Sequence, residues 1–153
     1  MLFLVFQLGD ERYALDAGEV AEVLPLVEIK RIARAPAGVA GVFNLRGRAV
    51  PVIDLGLVAF DRPSQMRLST RIILVHYRDP SGEKRLLGLV AERVTETVRR
   101  ERADFAPAGV TSPGARYLGP VASDGRGLLQ EVLVDELLPT SVRAALFQEV
   151  EQQ

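Results

Sequence analysis

The feature that most constrains this chain is a series of short apolar runs cut at close intervals by glycine, proline, aspartate and serine. LFLVFQL (2 to 8), a turn at Gly9-Asp10-Glu11 and YALD (13 to 16) predict a hairpin, because glycine and aspartate accept the left-handed backbone of a tight turn. Further strands are predicted at EVAEVLPLV (19 to 27), RAVPVIDL (48 to 55), RIILVHY (71 to 77), RLLGLVAERV (85 to 94) and LLQEVLV (128 to 134). DPSGE (79 to 83) and SDGRG (123 to 127) read as turns. Helix signals are sparse. Pro36 opens a predicted short helix through Val42, and Thr140 or Ser141 caps a C-terminal one whose inward face is Val142, Ala145, Leu146 and Val150, with a fraying tail from Glu149 to Gln153.

A gapless internal echo adds a second constraint. YALDAGEVAEVL (13 to 24) lies over LLGLVAERVTETV, aligning Val20 with Val94 and Glu22 with Glu96. Each half then closes on an apolar-Asp step, Ile53-Asp54 and Val134-Asp135. Halves this short cannot each make a wide sheet, so two small closed barrels sharing a seam are expected, since closure hides strand edges.

The chemistry available is limited. The chain has 153 residues and no cysteine, which excludes disulfides, thiolate metal sites and cysteine nucleophiles and fits a reducing compartment. Its N-terminal apolar stretch is too short to span a bilayer and lacks a basic lead-in, so it reads as a first strand and export is not expected. A net charge of −1 gives no global field for nucleic acid. Arg93, Arg99, Arg100 and Arg102 are interleaved with Glu92, Glu96 and Glu101 and read as a solvated face.

His76, the one histidine, sits in ILVHY as either an outward or a satisfied core residue. The pairs Asp10-Glu11 and Asp135-Glu136 are adjacent, a spacing that makes no acid/base couple in a strand or a turn. No nucleophile elbow, zinc helix, phosphate loop or dinucleotide fingerprint is present. No catalytic residue, cofactor or metal is therefore assigned.

GVFNLRGRAVPVIDL (41 to 55) remains. Gly41 and Gly47 bracket Asn44-Leu45-Arg46, which places Arg46 near a bend where its planar fork of donors suits a carboxylate at a protein contact; a solvated turn arginine is the alternative. Pro51 lacks an N–H donor and marks an edge or a bulge. An exposed edge and shaped turns suit a binding module better than an enzyme.

These residues resemble a known family, the CheW-like domain of bacterial chemotaxis coupling proteins. FQLGDERYALD, VAEVLPL, IARAPAGVAGVFNLRGRAVPVIDL and LLGLVAERVTETV fall in the family's order over nearly the whole chain, and the NLRG-x-x-x-PV-x-DL stretch is the most specific. The resemblance implies a mostly β fold, a single CheW-like domain over 1 to 153 made of two five-stranded SH3-like barrels in pseudo-two-fold relation, with short helices and a C-terminal helix. It implies no enzymatic activity and no cofactor. Its implied role is an adaptor, cytoplasmic and recruited to membrane-associated receptor arrays, that joins the cytoplasmic tip of methyl-accepting chemoreceptors to the regulatory domain of a CheA-type histidine kinase. Neither nucleic acid binding nor membrane insertion is implied, and self-association within arrays is left open. Carried over by motif, the receptor-binding positions are Val20, Glu22, Gly41, Arg46, Gly47 and Val94, with Arg46 paired to Glu22. Gln130 and Glu131, and Gly119-Pro120, depart from the family pattern and suggest a variant serving a dedicated non-flagellar array. A regulatory domain separated from a larger kinase or from a receiver-fused adaptor is the alternative.

Overall fold

The computed structural model describes residues 1–110 and 112–146, and in it the strands sort their side chains between three apolar clusters. β1 (Leu2–Leu8) shows the principle: Leu4, Phe6 and Leu8 point into the largest cluster, while Phe3 and Val5 point into a separate small one on the other face. Successive strand side chains face opposite ways, so a strand with a core on each side reads as one continuous apolar run. β6 (Arg71–Arg78) does the same, with Ile73, Val75 and Tyr77 in the large cluster and Ile72 and Leu74 in the third.

The other strands are β2 (Glu11–Asp16), β3 (Val20–Pro25), β4 (Val39–Leu45), β5 (Arg48–Asp54), β7 (Lys84–Arg99), β8 (Phe105–Ala106), β9 (Leu118–Asp124) and β10 (Gly127–Val132). One sheet runs β3-β6-β7-β5-β4, with β5 parallel to β7 through Val52↔Gly88, Ile53↔Leu89 and Asp54↔Val90. An isolated bridge between Lys30 and Val42 lays the segment after β3 along β4, the opposite edge of that sheet. The other sheet runs β7-β1-β2-β10-β9-β8, with β10 parallel to β2 through Leu129↔Arg12, Gln130↔Tyr13 and Glu131↔Ala14. β7 belongs to both: residues 84–91 pair with β6, whereas 92–99 pair with β1. The crossover falls at Arg93, which has φ +47° beside a register slip between the Val5 and Gln7 pairings. A bulge of this kind bends a strand and lets it change sheets.

The echo seen in the sequence reappears as repeated pairing. The hairpin β1·β2 corresponds to β6·β7, the parallel pair β10·β2 to β5·β7, the pair β3·β6 to the second half of β7 with β1, and the hairpin β4·β5 to β9·β10. In each sheet a hairpin from one half of the chain is joined by strands from the other half.

Several expectations are corrected. Residues 36 to 42 form no helix: Val39 onward is β4, with a register shift between Val39 and Gly41 that breaks the alternation a strand normally shows. The strand expected through residue 55 stops at Asp54, whose carboxylate caps the helix α1 (Leu55–Phe60) by accepting from Gly56 N at 2.9 Å. The same carboxylate accepts from Ser64 N at 3.0 Å and Ser64 Oγ at 2.6 Å, fastening the loop after α1. β8 and β9 were not expected from the sequence. The second helix, α2 (Thr140–Ala145), has Pro139 at its capping position in place of Thr140 or Ser141. Val142 enters the large core and Leu146 packs against it, but Ala145 is exposed, and Val150 with the tail 149 to 153 lies outside the described residues.

Pro51 behaves as an edge residue within a strand paired on both sides further along. Val42, its partner in β4, directs its own N–H and carbonyl to Lys30, so the Pro51 nitrogen faces away from β4, and pairing with β7 begins only at Val52.

Candidate docking surface

Leu45 and Arg48 close the β4–β5 hairpin around a two-residue loop, Arg46-Gly47. Both loop residues have positive φ, +52° and +87°, the pattern of a type I′ turn. Gly47 adopts this conformation freely, whereas an arginine does so at a cost, which the Asn44 side chain offsets by accepting from Gly47 N at 2.7 Å. The turn aims Arg46 across to β3. Its Nη2 donates to both carboxylate oxygens of Glu22, at 3.1 and 3.2 Å. Glu22 follows a register shift between Val20 and Glu22 in the β3–β6 ladder.

This pair lies in solvent, with the Arg46 side chain 71% and the Glu22 side chain 40% exposed. An exposed ion pair contributes at most about 1 kcal/mol to folding, so its groups can be redirected to a partner at little cost to the fold. Beside it lies an open groove of about 770 Å³ lined mainly by apolar groups, among them Leu24, Val27, Val42, Phe43 and Leu45. Val27, which lines it, is 42% exposed.

The remaining sequence-derived positions are placed differently. Gly41 is buried with φ +145°, and a Cβ there would stand 2.0 Å from the Lys30 carbonyl oxygen, so this residue admits the Lys30–Val42 bridge and thereby shapes the groove wall from within. Val94 is buried and Val20 half-buried, both against the large core, at equivalent points of the two halves. The structure thus brings Glu22, Arg46 and Gly47 to one surface point, whereas Val20 and Val94 belong to the large core and Gly41 lies beneath the groove wall. The contribution of Asn44 was missed. Its signal was present, as asparagine three residues before the turn glycine.

His76 takes the outward option and is exposed, at a small cleft of about 160 Å³ shared with Glu19, Arg78, Lys84 and Asp135. Glu19 is pushed up to about 7 by burial, with Asp135, Asp16 and Glu131 adding repulsion and Arg102 opposing it. Asp10, Glu11, Asp135 and Glu136 are exposed. Among the described residues no group of three or more His, Asp or Glu side chains could hold a metal ion, and no helix is long and apolar enough to cross a membrane.

The expected solvated arginine face is corrected in part. Arg93 and Arg99 are exposed, but Arg100 pairs with Asp124 at 3.0 Å and Arg102 reaches the buried Glu131 at 2.5 Å. Glu131 and Gln130, which depart from the family pattern, are both satisfied: Glu131 by Arg102, and Gln130 by donating to the Gly119 carbonyl at 3.1 Å.

A mostly β module with an exposed ion pair on a two-residue turn beside an apolar groove has the features of a protein-binding scaffold. Comparison with known proteins makes the class specific. The CheW-like domain family matches residues 2–141. The chain is 29% identical over 144 residues to the chemotaxis protein CheW of Klebsiella aerogenes, covering 93% of this chain and 84% of that protein. It is 30% identical over 125 residues to the protein FrzA of Myxococcus xanthus, covering 80% and 75%. The crystal structure of the scaffolding protein TtCheW from Thermoanaerobacter tengcongensis superposes with a TM-score of 0.79 at 26% identity, covering 92% of this chain and 89% of that one. This chain belongs to the CheW-like domain family, a family of non-catalytic chemotaxis scaffolds.

Proposed function

We propose that the chain couples the cytoplasmic tip of transmembrane chemoreceptors to the regulatory domain of a CheA-type histidine kinase, drawn from the cytoplasm to receptor arrays. The observation that carries this reading is the Arg46–Glu22 pair, exposed and held on a strained turn beside an apolar groove. Strain at an exposed turn that stabilises the fold little is consistent with a role outside folding. Glu22, Arg46 and Gly47 are the proposed contact points, and Val20, Gly41 and Val94 act by keeping the surrounding strands in place. The two sheets are proposed as intertwined barrels of one domain, the Lys30–Val42 bridge helping to close one of them. Gln130 and Glu131 are accounted for within the fold and supply no argument for a non-flagellar output.

Co-sedimentation of the protein with receptor-bearing membranes tests this. Arg46→Glu is expected to abolish co-sedimentation while leaving the melting temperature within about 3 °C of the parent, since an exposed pair is worth about 1 kcal/mol at most. Retained co-sedimentation, or a protein that no longer folds, contradicts the assignment.

A further inference from the structure

The second half of the chain carries a related arrangement on a turn of different backbone, in which neither Gly125 nor Arg126 has positive φ and Gly127 does, at +110°. Glu96, the echo partner of Glu22, lies on β7 opposite Val5 of β1, next to the register slip of that ladder, as Glu22 lies next to the slip of its own. The β9–β10 hairpin closes between Asp124 and Gly127 around Gly125-Arg126, as β4–β5 closes around Arg46-Gly47. An aspartate side chain fixes this turn where an asparagine fixes the other, Asp124 Oδ1 accepting from Arg126 N at 2.8 Å. From the turn, Arg126 Nη2 reaches Glu96 Oε1 at 2.6 Å, with side chains 61% and 36% exposed. A carboxylate beside a bulge, an arginine on a two-residue turn and an Asx side chain bracing that turn therefore occur twice, once on each sheet.

We infer that Glu96 and Arg126 form a second docking contact, and that it takes an acidic segment of the second protein this module bridges. The inference rests on the adaptor reading, under which that protein is the histidine kinase. Charge complementarity supports an acidic occupant. Arg12 grips Asp124 through two bonds of 2.9 Å and Arg100 adds a third at 3.0 Å, so three guanidiniums surround two carboxylates, leaving one positive charge in excess at the spot where Arg126 is most open. Leu128, two residues beyond Arg126 and 60% exposed, offers an apolar contact beside it. The two contacts lie on different sheets, one at the β4–β5 turn and the other at the β9–β10 turn, so filling one need not empty the other. Two related turn-borne ion pairs, one on each sheet, give a single short chain two handles.

The test titrates the full chain separately with a receptor cytoplasmic fragment and with the kinase, comparing wild type, Arg46→Glu, Arg126→Glu and the exchanged pair Glu96→Arg with Arg126→Glu. Arg126→Glu is expected to weaken kinase binding by about tenfold or more while receptor binding stays within about twofold. The exchanged pair keeps an internal ion pair, so it guards against misfolding and is expected to bind the kinase as poorly as the single variant. Kinase binding unchanged in both overturns the inference, as does loss of receptor binding by Arg126→Glu, which would make the two pairs one surface for one partner. Weakened binding of an anionic vesicle in place of the kinase would likewise overturn it. If Arg46→Glu leaves receptor binding intact, the adaptor reading of the first pair fails, and the second contact is still judged by the Arg126→Glu result alone.

Discussion

Replacing Arg102 by alanine strands a carboxylate in the interior. Glu131, next to the last residue of β10, is 3% exposed, and Arg102 reaches its two oxygens at 2.5 and 3.3 Å. The guanidinium also lies 5.8 Å from the Phe3 ring and 5.5 Å from the Phe105 ring, capping the small cluster of Phe3, Val5, Ala14 and Leu129. Removing one partner of a buried ion pair costs about 3–5 kcal/mol. Because the Arg102 side chain is 51% exposed, water can follow it in, which brings the expected loss to about 2–3 kcal/mol with the ring contacts included. For a chain of this length that is a fall in melting temperature of about 5–10 °C. Urea unfolding at neutral pH measures it, and the double change Arg102→Met with Glu131→Leu is expected to recover most of the loss, because an apolar pair needs no counter-charge. A single variant within about 0.5 kcal/mol of the parent, or a double variant no better than the single, would refute this account of why β10 carries an acid.

Glu19 titrates near 7 in the folded protein against an ordinary value of 4.5, so its protonated form is favoured by folding, and the stability it confers is full below 4.5 and lost as the pH rises through 7. Glu19→Gln is expected to raise the melting temperature at pH 8 and to flatten its pH dependence across that window, as followed by circular dichroism; an unchanged pH profile counts against it. Gly41→Ala places a Cβ 2.0 Å from the Lys30 carbonyl oxygen and is expected to cost about 3 kcal/mol or more, whereas Gly47→Ala meets nothing within 4 Å and costs about 1 kcal/mol through φ alone. Equal denaturation midpoints for the two would contradict that division. Asp54→Ala removes the acceptor shared by Gly56 N, Ser64 N and Ser64 Oγ, and is expected to cost about 2–3 kcal/mol and to speed amide exchange at Ser64.

The strands that could be read from the sequence are those whose backbone stays regular. LFLVFQL and RIILVHY became β1 and β6 because an apolar run between turn residues has few other solutions at that length. The misreadings fall where backbone geometry departs from the regular period. In β4 the bulge at Gly41 breaks alternation, and Pro36 followed by a mixed run then imitates a helix start. The predicted strand took in Leu55 and left the rest of α1 unassigned because LGLVAF is apolar throughout and shows no helical period, yet Asp54 before Leu55 was a helix cap in plain view. β7 extends to Arg99 because its charged residues face outward once the strand has crossed to the second sheet, which no local pattern shows. The Arg46–Glu22 pair was foreseen through the family motif rather than through spacing. Arg126 was not foreseen, although the echo of Glu22 in Glu96 and an arginine in the turn SDGRG were both on the page.

On the proposed reading, the chain works by occupying a place between two proteins. The most direct measurement is phosphorylation of the kinase in a mixture with receptor-bearing vesicles as this protein is added. A scaffold is consumed in assembly, so receptor control should rise with each addition and saturate at a fixed ratio of this chain to kinase, and Arg46→Glu should fail at every ratio. Full control at a small fraction of the kinase concentration, or equal performance by Arg46→Glu, would contradict it.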